Sequence, residues 1–222
     1  MPVSEPLFAQ RLLEWFDQHG RHDLPWQTQR TPYRVWISEI MLQQTQVSTV
    51  IPYFDRFMDR FATIEELAAA ETDQVLHLWT GLGYYARARN LHKAAQSIVE
   101  EHGGAFPESV AGLMDLAGIG QSTAGAIAAI SMGVRAPILD GNVKRVLARY
   151  HCIPGWPEQS AVKKQLWEIA ESLTPHKRVD DYTQAIMDLG ATVCTRSKPA
   201  CDNCPLQSGC AAYKQERTTE FP

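Results

Sequence analysis

Residues 113–124, Leu113-Met-Asp-Leu-Ala-Gly-Ile-Gly-Gln-Ser-Thr-Ala124, join two helical patterns through a Gly-x-Gly turn. Gly118 and Gly120 allow the backbone to adopt positive φ and to approach a ligand closely, because glycine has no Cβ. The helix that begins directly after Gly120 presents free N–H groups, which suit a phosphate. The stretch therefore predicts a phosphate-binding hairpin between two helices. The alternative interpretation is an ordinary corner between helices.

Helical periodicity continues on both sides of this hairpin. Apolar residues recur three and four positions apart in several further segments, which is typical of helices with one buried face. Alternating runs of Val, Ile and Thr, which would indicate strands, are missing. We therefore expect an all-α fold, with helices that cover parts of residues 8–16, 32–41, 50–58, 64–67, 143–150, 160–173 and 181–193.

Local signals mark where some of these helices begin and where the pattern breaks. Thr31 followed by Pro32 predicts an N-cap with proline at the first helical position. Thr63 with Glu66 predicts a capping box. A glycine and a proline interrupt the pattern in residues 131–137, so this stretch is predicted to be a crossover between two helical lobes.

The composition excludes several classes of protein. Hydrophobic residues make up 45% and charged residues 21% of the 222 residues, which is ordinary for a globular protein and unlike a disordered or fibrous one. The longest weakly polar run, residues 124–134, is shorter than the roughly 20 residues of a membrane span. The first six residues do not resemble a signal peptide.

The charge of the chain leaves the partner open. A net charge of -4 argues against nucleic acid, but the middle third of the chain is locally basic. The hairpin at residues 113–124 has the helix–hairpin–helix pattern, which holds a DNA backbone through main-chain amides rather than through Lys and Arg. Such a clamp would also explain the modest charge.

Four of the five cysteines form one motif, Cys194-x6-Cys201-x2-Cys204-x5-Cys210. Four thiolates at this spacing can enclose one tetrahedral ion or one cubane cluster. Zinc usually uses two short knuckles, and only one Cys-x2-Cys pair occurs here, so the spacing favours a [4Fe–4S] cluster over zinc. Four reduced structural cysteines are the third interpretation. The remaining Cys152 is predicted to be a small buried apolar residue.

The segment Gly81-Leu-Gly-Tyr-Tyr85, followed by Arg87 and Arg89, is a second candidate contact surface. A flexible turn here presents two aromatic side chains beside two arginines. Aromatic side chains can wedge into a base stack, and arginines can hold phosphates. The alternative is a glycine at the end of a helix with tyrosines in the core.

Two carboxylates are candidates for acid–base chemistry. Glu39 lies in a helix among apolar residues, and partial desolvation would keep its carboxyl protonated more readily, which suits a general acid. Asp140 precedes a predicted helix, whose N-terminus favours the ionised form. We therefore expect the two groups to be pushed towards different protonation states. The alternatives are a surface glutamate and an aspartate that only caps its helix.

Together these segments resemble the endonuclease III superfamily of DNA glycosylases and, within it, the adenine DNA glycosylases of the MutY type. The resemblance runs in order over nearly the whole chain, and the combination is specific. The matching strings are Leu24-Pro-Trp26, Trp36-x-Ser-Glu39-x-Met-Leu-Gln-Gln44-Thr45, Gly81-Leu-Gly-Tyr-Tyr85, Leu116-x-Gly-x-Gly120, Ile138-Leu-Asp-Gly-Asn-Val-Lys-Arg145, Met187-Asp-Leu-Gly190 and the four cysteines.

The resemblance implies two helical lobes with a DNA-binding groove between them. Residues 25–133 would form a six-helix barrel that carries the hairpin. Residues 1–24 and 134–222 would form the lobe that holds the [4Fe–4S] cluster. Family members usually continue into a C-terminal Nudix-like domain, so we expect this chain to be a catalytic core. We expect a monomer that acts in the bacterial cytoplasm on double-stranded DNA with A:8-oxoguanine or A:G mispairs.

The resemblance also implies the chemistry, which is hydrolysis of the bond between a flipped-out adenine and its sugar, leaving an abasic site. Glu39 would protonate the adenine and handle the incoming water, and Asp140 would stabilise the positively charged sugar. Bifunctional relatives carry a lysine where this chain has Ser122, which cannot form a Schiff base, so a monofunctional enzyme that uses water is implied. Lys144 would contact a phosphate or the abasic site.

Further positions carry over as contacts rather than as reacting groups. Gln44 and Tyr84 would probe or wedge the base stack, and Trp26 and Gln184 would line the adenine pocket. The remaining implied contacts with DNA are Arg87, Gly118, Gly120 and Ser122, and the implied cluster ligands are Cys194, Cys201, Cys204 and Cys210.

Three other functions compete with this one. A pyrimidine-damage glycosylase with lyase activity would share the fold, but Ser122 and Glu39 argue against it. A non-catalytic module that binds abasic or mismatched DNA would use the same clamp, but would not need both carboxylates. A simple iron–sulfur electron carrier would need neither the hairpin nor Glu39.

Overall fold

The structure is a computed structural model that describes residues 5–222. All regular secondary structure in that range is helical, which confirms the predicted all-α class. Three short 3₁₀ turns lie near the C-terminus, at Cys201–Asn203, Gln207–Gly209 and Thr218–Glu220. The α-helices are α1 (Glu5–His19), α2 (Pro32–Leu42), α3 (Val47–Arg60), α4 (Ile64–Ala68), α5 (Thr72–Leu78), α6 (Ala86–His102), α7 (Val110–Met114), α8 (Gln121–Met132), α9 (Gly141–His151), α10 (Ser160–Leu173), α11 (Val179–Thr192) and α12 (Ala211–Lys214).

The described chain divides into two compact units. One unit consists of residues 22–132 and contains α2 to α8, of which α4 and α7 are only five residues long. The other consists of residues 5–21 with 133–222 and contains α1 and α9 to α12. Residues 1–4 of the predicted second lobe lie outside the described residues. No helix in residues 5–222 is long and apolar enough to cross a membrane.

The first unit is built around α2, the helix that carries Glu39. Thr31 caps this helix as predicted, because its side chain accepts a hydrogen bond from the backbone of the first turn. Trp36 and Ile37 are completely buried on one face of α2. Helix α2 packs against α8, where the buried run of residues 124–130 is rich in alanine and lets the two helices approach closely.

The second unit contains an ion pair between a half-buried arginine and a buried aspartate. Asp188 on α11 is completely buried, and its carboxylate accepts hydrogen bonds from the backbone N–H of Arg21 at 2.8 Å and from the Arg21 guanidinium at 2.5 and 3.0 Å. Since removal of one partner would leave a buried charge unpaired, this contact joins the end of α1 firmly to α11.

Two of the predicted local signals differ in detail from the structure. Thr63 caps α4, but the carboxylate of Glu66 accepts its hydrogen bond from the backbone N–H of Ala62, one residue before the cap, so the capping box is shifted. The predicted crossover at residues 131–137 begins later, because α8 continues through Met132.

Candidate functional site

Glu39 lies on α2 between the buried residues Ser38 and Ile40 and is itself half-buried. This is the partly desolvated position that the apolar neighbours in the sequence predicted. The side chain can therefore meet a ligand from one side while protein surrounds the other, as a proton donor in a binding pocket must.

Asp140 is the N-cap of α9, and its Oδ1 accepts a hydrogen bond from the backbone N–H of Val143 at 2.8 Å. Burial raises the pKa of the Asp140 carboxyl above its usual value, although the helix amides, Arg145 and Lys144 act in the opposite direction. The helix N-terminus favours the ionised form of Asp140, as predicted, but it does not set the net direction of the pKa shift. Desolvation penalises the charged form by more than the helix start favours it.

Lys144 lies in the first turn of α9, and its backbone N–H donates to the carbonyl of Asp140 at 2.9 Å. Its ammonium forms an ion pair with Glu158, whose other carboxylate oxygen lies 3.7 Å from Nζ of Lys163. The Lys144 hydrogen bond lowers the pKa of Glu158. The sequence did not indicate this pairing, because Glu158 lies in the next interhelical loop.

The two predicted wedge residues occupy exposed turns with unusual backbone conformations. Gln44 follows the end of α2, and Tyr84 precedes the start of α6. Both have positive φ, 59° for Gln44 and 49° for Tyr84, which is uncommon for residues other than glycine. Tyr84 is 63% exposed. Both side chains are therefore available at the surface of the first unit.

Arg87 does not have the role that the sequence predicted. Its guanidinium is turned inward and donates six hydrogen bonds within the protein, so its terminal nitrogens are already occupied. The prediction of a direct phosphate contact is therefore wrong. The acceptors are the carbonyls of Ile40, Met41, Gln43, Leu82 and Gly83 and the hydroxyl of Thr45.

The hairpin between α7 and α8 uses its two glycines differently. Gly118 has a φ of 79°, and a Cβ there would lie 2.8 Å from the Cβ of Asn90, so glycine is required. Gly120 does not have positive φ, and a Cβ there would meet nothing within 4 Å. The predicted positive φ at Gly120 is wrong, and its absent side chain instead leaves open space at the start of α8. Ser122 lies half-buried in the first turn of that helix.

The residues implied for an adenine pocket are both buried, one in each unit. The ring of Trp26 packs edge-on against Phe54 with 5.4 Å between the ring centroids. Gln184 donates from Nε2 to the Asp188 carboxylate at 3.0 Å. Gln27 is a candidate that the sequence did not reveal. It is only 9% exposed, yet neither atom of its amide group has a hydrogen-bond partner in the described structure, which is costly unless a ligand or water supplies one.

The four cysteines Cys194, Cys201, Cys204 and Cys210 line one apolar cavity beside α9 and the end of α11. Burial raises the pKa of Cys204 to about 12 and shifts Cys201 and Cys210 in the same direction, and the neighbouring sulfurs add to the shift. Thiolates in this cavity therefore require positive charge beside them, which iron ions supply.

Two arginines of α9 hold the loop that begins the cysteine motif. Arg145 donates to the carbonyls of Cys194 and Gly190, each at 2.6 Å. The buried Arg149 donates to the carbonyl of Thr195 at 2.7 Å and to the sulfur of Cys194 at 3.5 Å. Their spacing of one helical turn was visible in the sequence, but their partners were not. Helix α9 thus connects Asp140 at its start with the cysteine cavity.

Comparisons with known proteins agree with these features. Residues 37–172 match the sequence profile described as HhH-GPD superfamily base excision DNA repair protein. Residues 194–210 match the iron-sulfur binding domain of endonuclease III, and this match confirms the predicted [4Fe–4S] cofactor. Both matched ranges contain the motifs that the sequence singled out, the hairpin in the first and the four cysteines in the second.

The individual proteins that this chain resembles are DNA glycosylases by name. The chain is 47% identical over 220 residues to the adenine DNA glycosylase of Buchnera aphidicola subsp. Acyrthosiphon pisum, which covers 99% of this chain and 63% of the relative. It is 46% identical over 217 residues to human adenine DNA glycosylase, covering 94% of this chain and 40% of that one. The solved structure of a thermostable thymine-DNA glycosylase superimposes with a TM-score of 0.85 at 28% identity, covering 95% and 97% of the two chains. The chain spans less than two thirds of the length of these two adenine glycosylases, and it belongs to the HhH-GPD superfamily of base excision DNA repair proteins.

Proposed function

We propose that this chain is a base excision repair glycosylase that removes adenine mispaired with 8-oxoguanine or guanine in double-stranded DNA. The observation that carries the substrate assignment is the similarity to adenine DNA glycosylases over 99% of the chain. The two carboxylates, the hairpin and the cysteine cavity support the same assignment, because each lies at a position that the family resemblance implies.

The proposed reaction is hydrolysis of the N-glycosidic bond of an adenine that has left the base stack. Glu39 donates a proton to the adenine, so that the base departs as a neutral molecule. Departure leaves positive charge on the sugar, and the Asp140 carboxylate stabilises that charge. Water then attacks the sugar, and Glu39 accepts the proton that the water releases. The products are free adenine and an abasic site.

The proposal excludes strand cleavage as a part of turnover. Ser122, at the position of the family's nucleophilic lysine, has no amine with which to form a Schiff base. Lys144 is paired with Glu158 and is proposed to contact a phosphate or the abasic site.

The first prediction tests this mechanism directly. A duplex with a labelled A:8-oxoguanine strand, incubated with the protein, should show strand breaks only after treatment with hot alkali, because the enzyme itself leaves an intact abasic strand. Gel electrophoresis with and without alkali measures this, and a T:8-oxoguanine duplex is the control. Strand breaks without alkali would show that the enzyme has lyase activity and would contradict the hydrolytic mechanism. No breaks under either condition would contradict adenine removal.

The DNA contacts proposed for the first unit are the amides at the hairpin and the exposed side chains of Gln44 and Tyr84. In this proposal Trp26, Gln27 and Gln184 contact the adenine. Arg87 is not among the proposed DNA contacts, because its guanidinium donates its hydrogen bonds within the protein.

The hairpin gives a matched pair of variants as the second prediction. Gly120→Ala should keep the free energy of unfolding unchanged, because a methyl group there meets only open space, but should weaken duplex binding about tenfold or more through loss of an amide–phosphate contact. Gly118→Ala should lose about 1–3 kcal/mol of stability, because its backbone is left-handed and Asn90 blocks the methyl group. Urea unfolding and fluorescence anisotropy measure the two effects. Unchanged DNA affinity of the Gly120 variant would remove the hairpin from the interface.

The four cysteines are proposed to hold the [4Fe–4S] cluster, whose presence organises the chain between Cys194 and Cys210. That segment carries Arg196 and Lys198, which are both exposed and can contact phosphates. The cluster therefore acts on DNA affinity through the shape of the segment.

The third prediction concerns this segment. Cys204→Ala should lose the broad visible absorbance of the cluster and weaken duplex binding about tenfold or more, since the basic residues are no longer held in place. Cys152→Ala is the matched control, because Cys152 lies outside the motif and does not line the cavity. Iron content, visible absorbance and anisotropy measure the outcome. A Cys204 variant without iron that still bound DNA as tightly as the parent would contradict the role given to the cluster.

A further inference from the structure

Arg87 lies in the first turn of α6 and reaches back to the end of α2. Its Nη1 donates to the carbonyls of Ile40 and Met41, each at 2.9 Å, and to that of Gln43 at 2.5 Å. Carbonyls at the end of a helix have no partner within the helix, and a cation is favourable there. Arg87 therefore closes the C-terminus of α2 and holds the start of the turn that contains Gln44.

The other terminal nitrogen of the same guanidinium faces a second turn. Nη2 of Arg87 donates to the carbonyls of Leu82 at 3.2 Å and Gly83 at 3.3 Å, and to the hydroxyl of Thr45 at 3.3 Å. The Gly83 carbonyl also accepts a hydrogen bond from the indole of Trp79 at 3.1 Å. Since the guanidinium is planar and rigid, these bonds set the distance between the two turns.

Each of the two turns presents one exposed residue in a left-handed conformation. These residues are Gln44 and Tyr84, with φ values of 59° and 49°. Such conformations are unfavourable for residues with a Cβ and persist only where the surrounding structure holds them. Arg87 is bonded to both neighbourhoods, and its Cζ also lies 5.6 Å from the centre of the Tyr84 ring.

We propose that Arg87 is a positioning residue that holds Gln44 and Tyr84 at a fixed separation, so that both side chains enter the base stack of DNA together. The inference rests on the proposed function, because it takes these two residues as the wedges. Arg87 itself contacts neither the adenine nor the phosphates. It acts on base flipping through the two turns.

One substitution distinguishes a positioning role of Arg87 from a general contribution to folding stability. Arg87→Lys keeps the positive charge at the end of α2, but an ammonium is a compact group that cannot span both sets of acceptors. The lysine must then lose its hydrogen bonds to the end of α2, to the turn before α6, or to some acceptors of each, while the helices remain folded. Arg89→Lys is the matched control, because Arg89 is an exposed residue of the same helix, two positions further on.

The first experiment uses the DNA-free holoprotein. Hydrogen exchange followed by mass spectrometry should show amides of residues 43–45 and 82–85 exchanging about tenfold faster in Arg87→Lys, with the centres of α2 and α8 unchanged. Arg89→Lys should exchange like the parent. If the two turns keep their protection in Arg87→Lys, or if the whole unit loses protection equally, the guanidinium does not couple the turns and the inference is wrong.

The second experiment is a double-mutant cycle on adenine excision. Arg87→Lys and Gln44→Ala should each slow single-turnover excision from an A:8-oxoguanine duplex about tenfold, and the double variant should be little slower than either, because Gln44 and Tyr84 act as a pair and either change already disables the pair. Excision from a duplex whose adenine lies in an unpaired bubble should be nearly unaffected. Additive effects, or equal loss on both substrates, would overturn the positioning role.

The controls distinguish this failure from failure of the proposed function. If the parent protein excises no adenine, or if Gln44→Ala and Tyr84→Ala excise as fast as the parent, the wedge assignment itself is wrong. If those results are as expected and Arg87→Lys still excises like the parent, only the role of Arg87 is wrong.

Discussion

Glu39→Gln is expected to abolish adenine removal while it leaves duplex binding largely intact. The amide keeps the size of the side chain on α2 but has no acidic proton to give to the leaving base. General acid catalysis typically contributes about 10²–10⁴-fold, so the rate of excision should fall by at least that factor. Single-turnover excision from an A:8-oxoguanine duplex and anisotropy on the same duplex measure the two quantities.

The control for this variant is Glu101→Gln, which changes an exposed glutamate on α6 and should excise like the parent. A Glu39→Gln protein with near-parental excision would overturn the assignment of the general acid. Equal loss of binding and excision would instead place Glu39 in DNA recognition rather than in proton transfer.

Asp140→Asn is expected to cripple the chemical step and to leave the fold intact. Removal of a carboxylate beside a developing cation costs several kcal/mol, or roughly a thousandfold in rate. Asparagine is as good an N-cap as aspartate, so the bond from the Val143 N–H to the side chain can be kept. Unchanged chemistry with a loss only of stability would mean that Asp140 is merely a helix cap. Asp59→Asn, on the exposed side of α3, is the matched control.

Because the pKa of Asp140 is raised, the stability of this variant relative to the parent should depend on pH. A carboxyl whose pKa is higher in the folded than in the unfolded state binds its proton more tightly when folded, so its ionisation costs stability at neutral pH. Asp140→Asn should therefore be at least as stable as the parent near neutral pH, and that advantage should shrink as the pH falls through the raised pKa of the folded protein towards the ordinary pKa of the unfolded chain. Excision by the parent should decline over the same range, because the protonated acid cannot stabilise a cation. Thermal unfolding and excision rates across the pH range measure both effects.

Several features could be predicted from the sequence because their causes are local. The all-α class follows from apolar spacing within each helix, and the start of α2 follows from Thr31 and its neighbour in the chain. The turn at Gly118 is likewise local, since positive φ is a property of one residue. The cysteine motif places four sulfurs within 17 residues, so a cluster could be inferred without knowledge of any distant contact.

What the sequence by itself determined about this protein is thus its helices, its hairpin and its cluster motif. Only the tertiary structure decided the roles that depend on residues far apart in the chain. Arg87 reaches acceptors up to 47 positions away, and these contacts convert an expected phosphate contact into a link between two turns. The pKa of Asp140 is raised by burial, which outweighs the local effect of the helix start. Burial and long-range partners exist only once the chain has packed, and that is why spacing and composition did not reveal them.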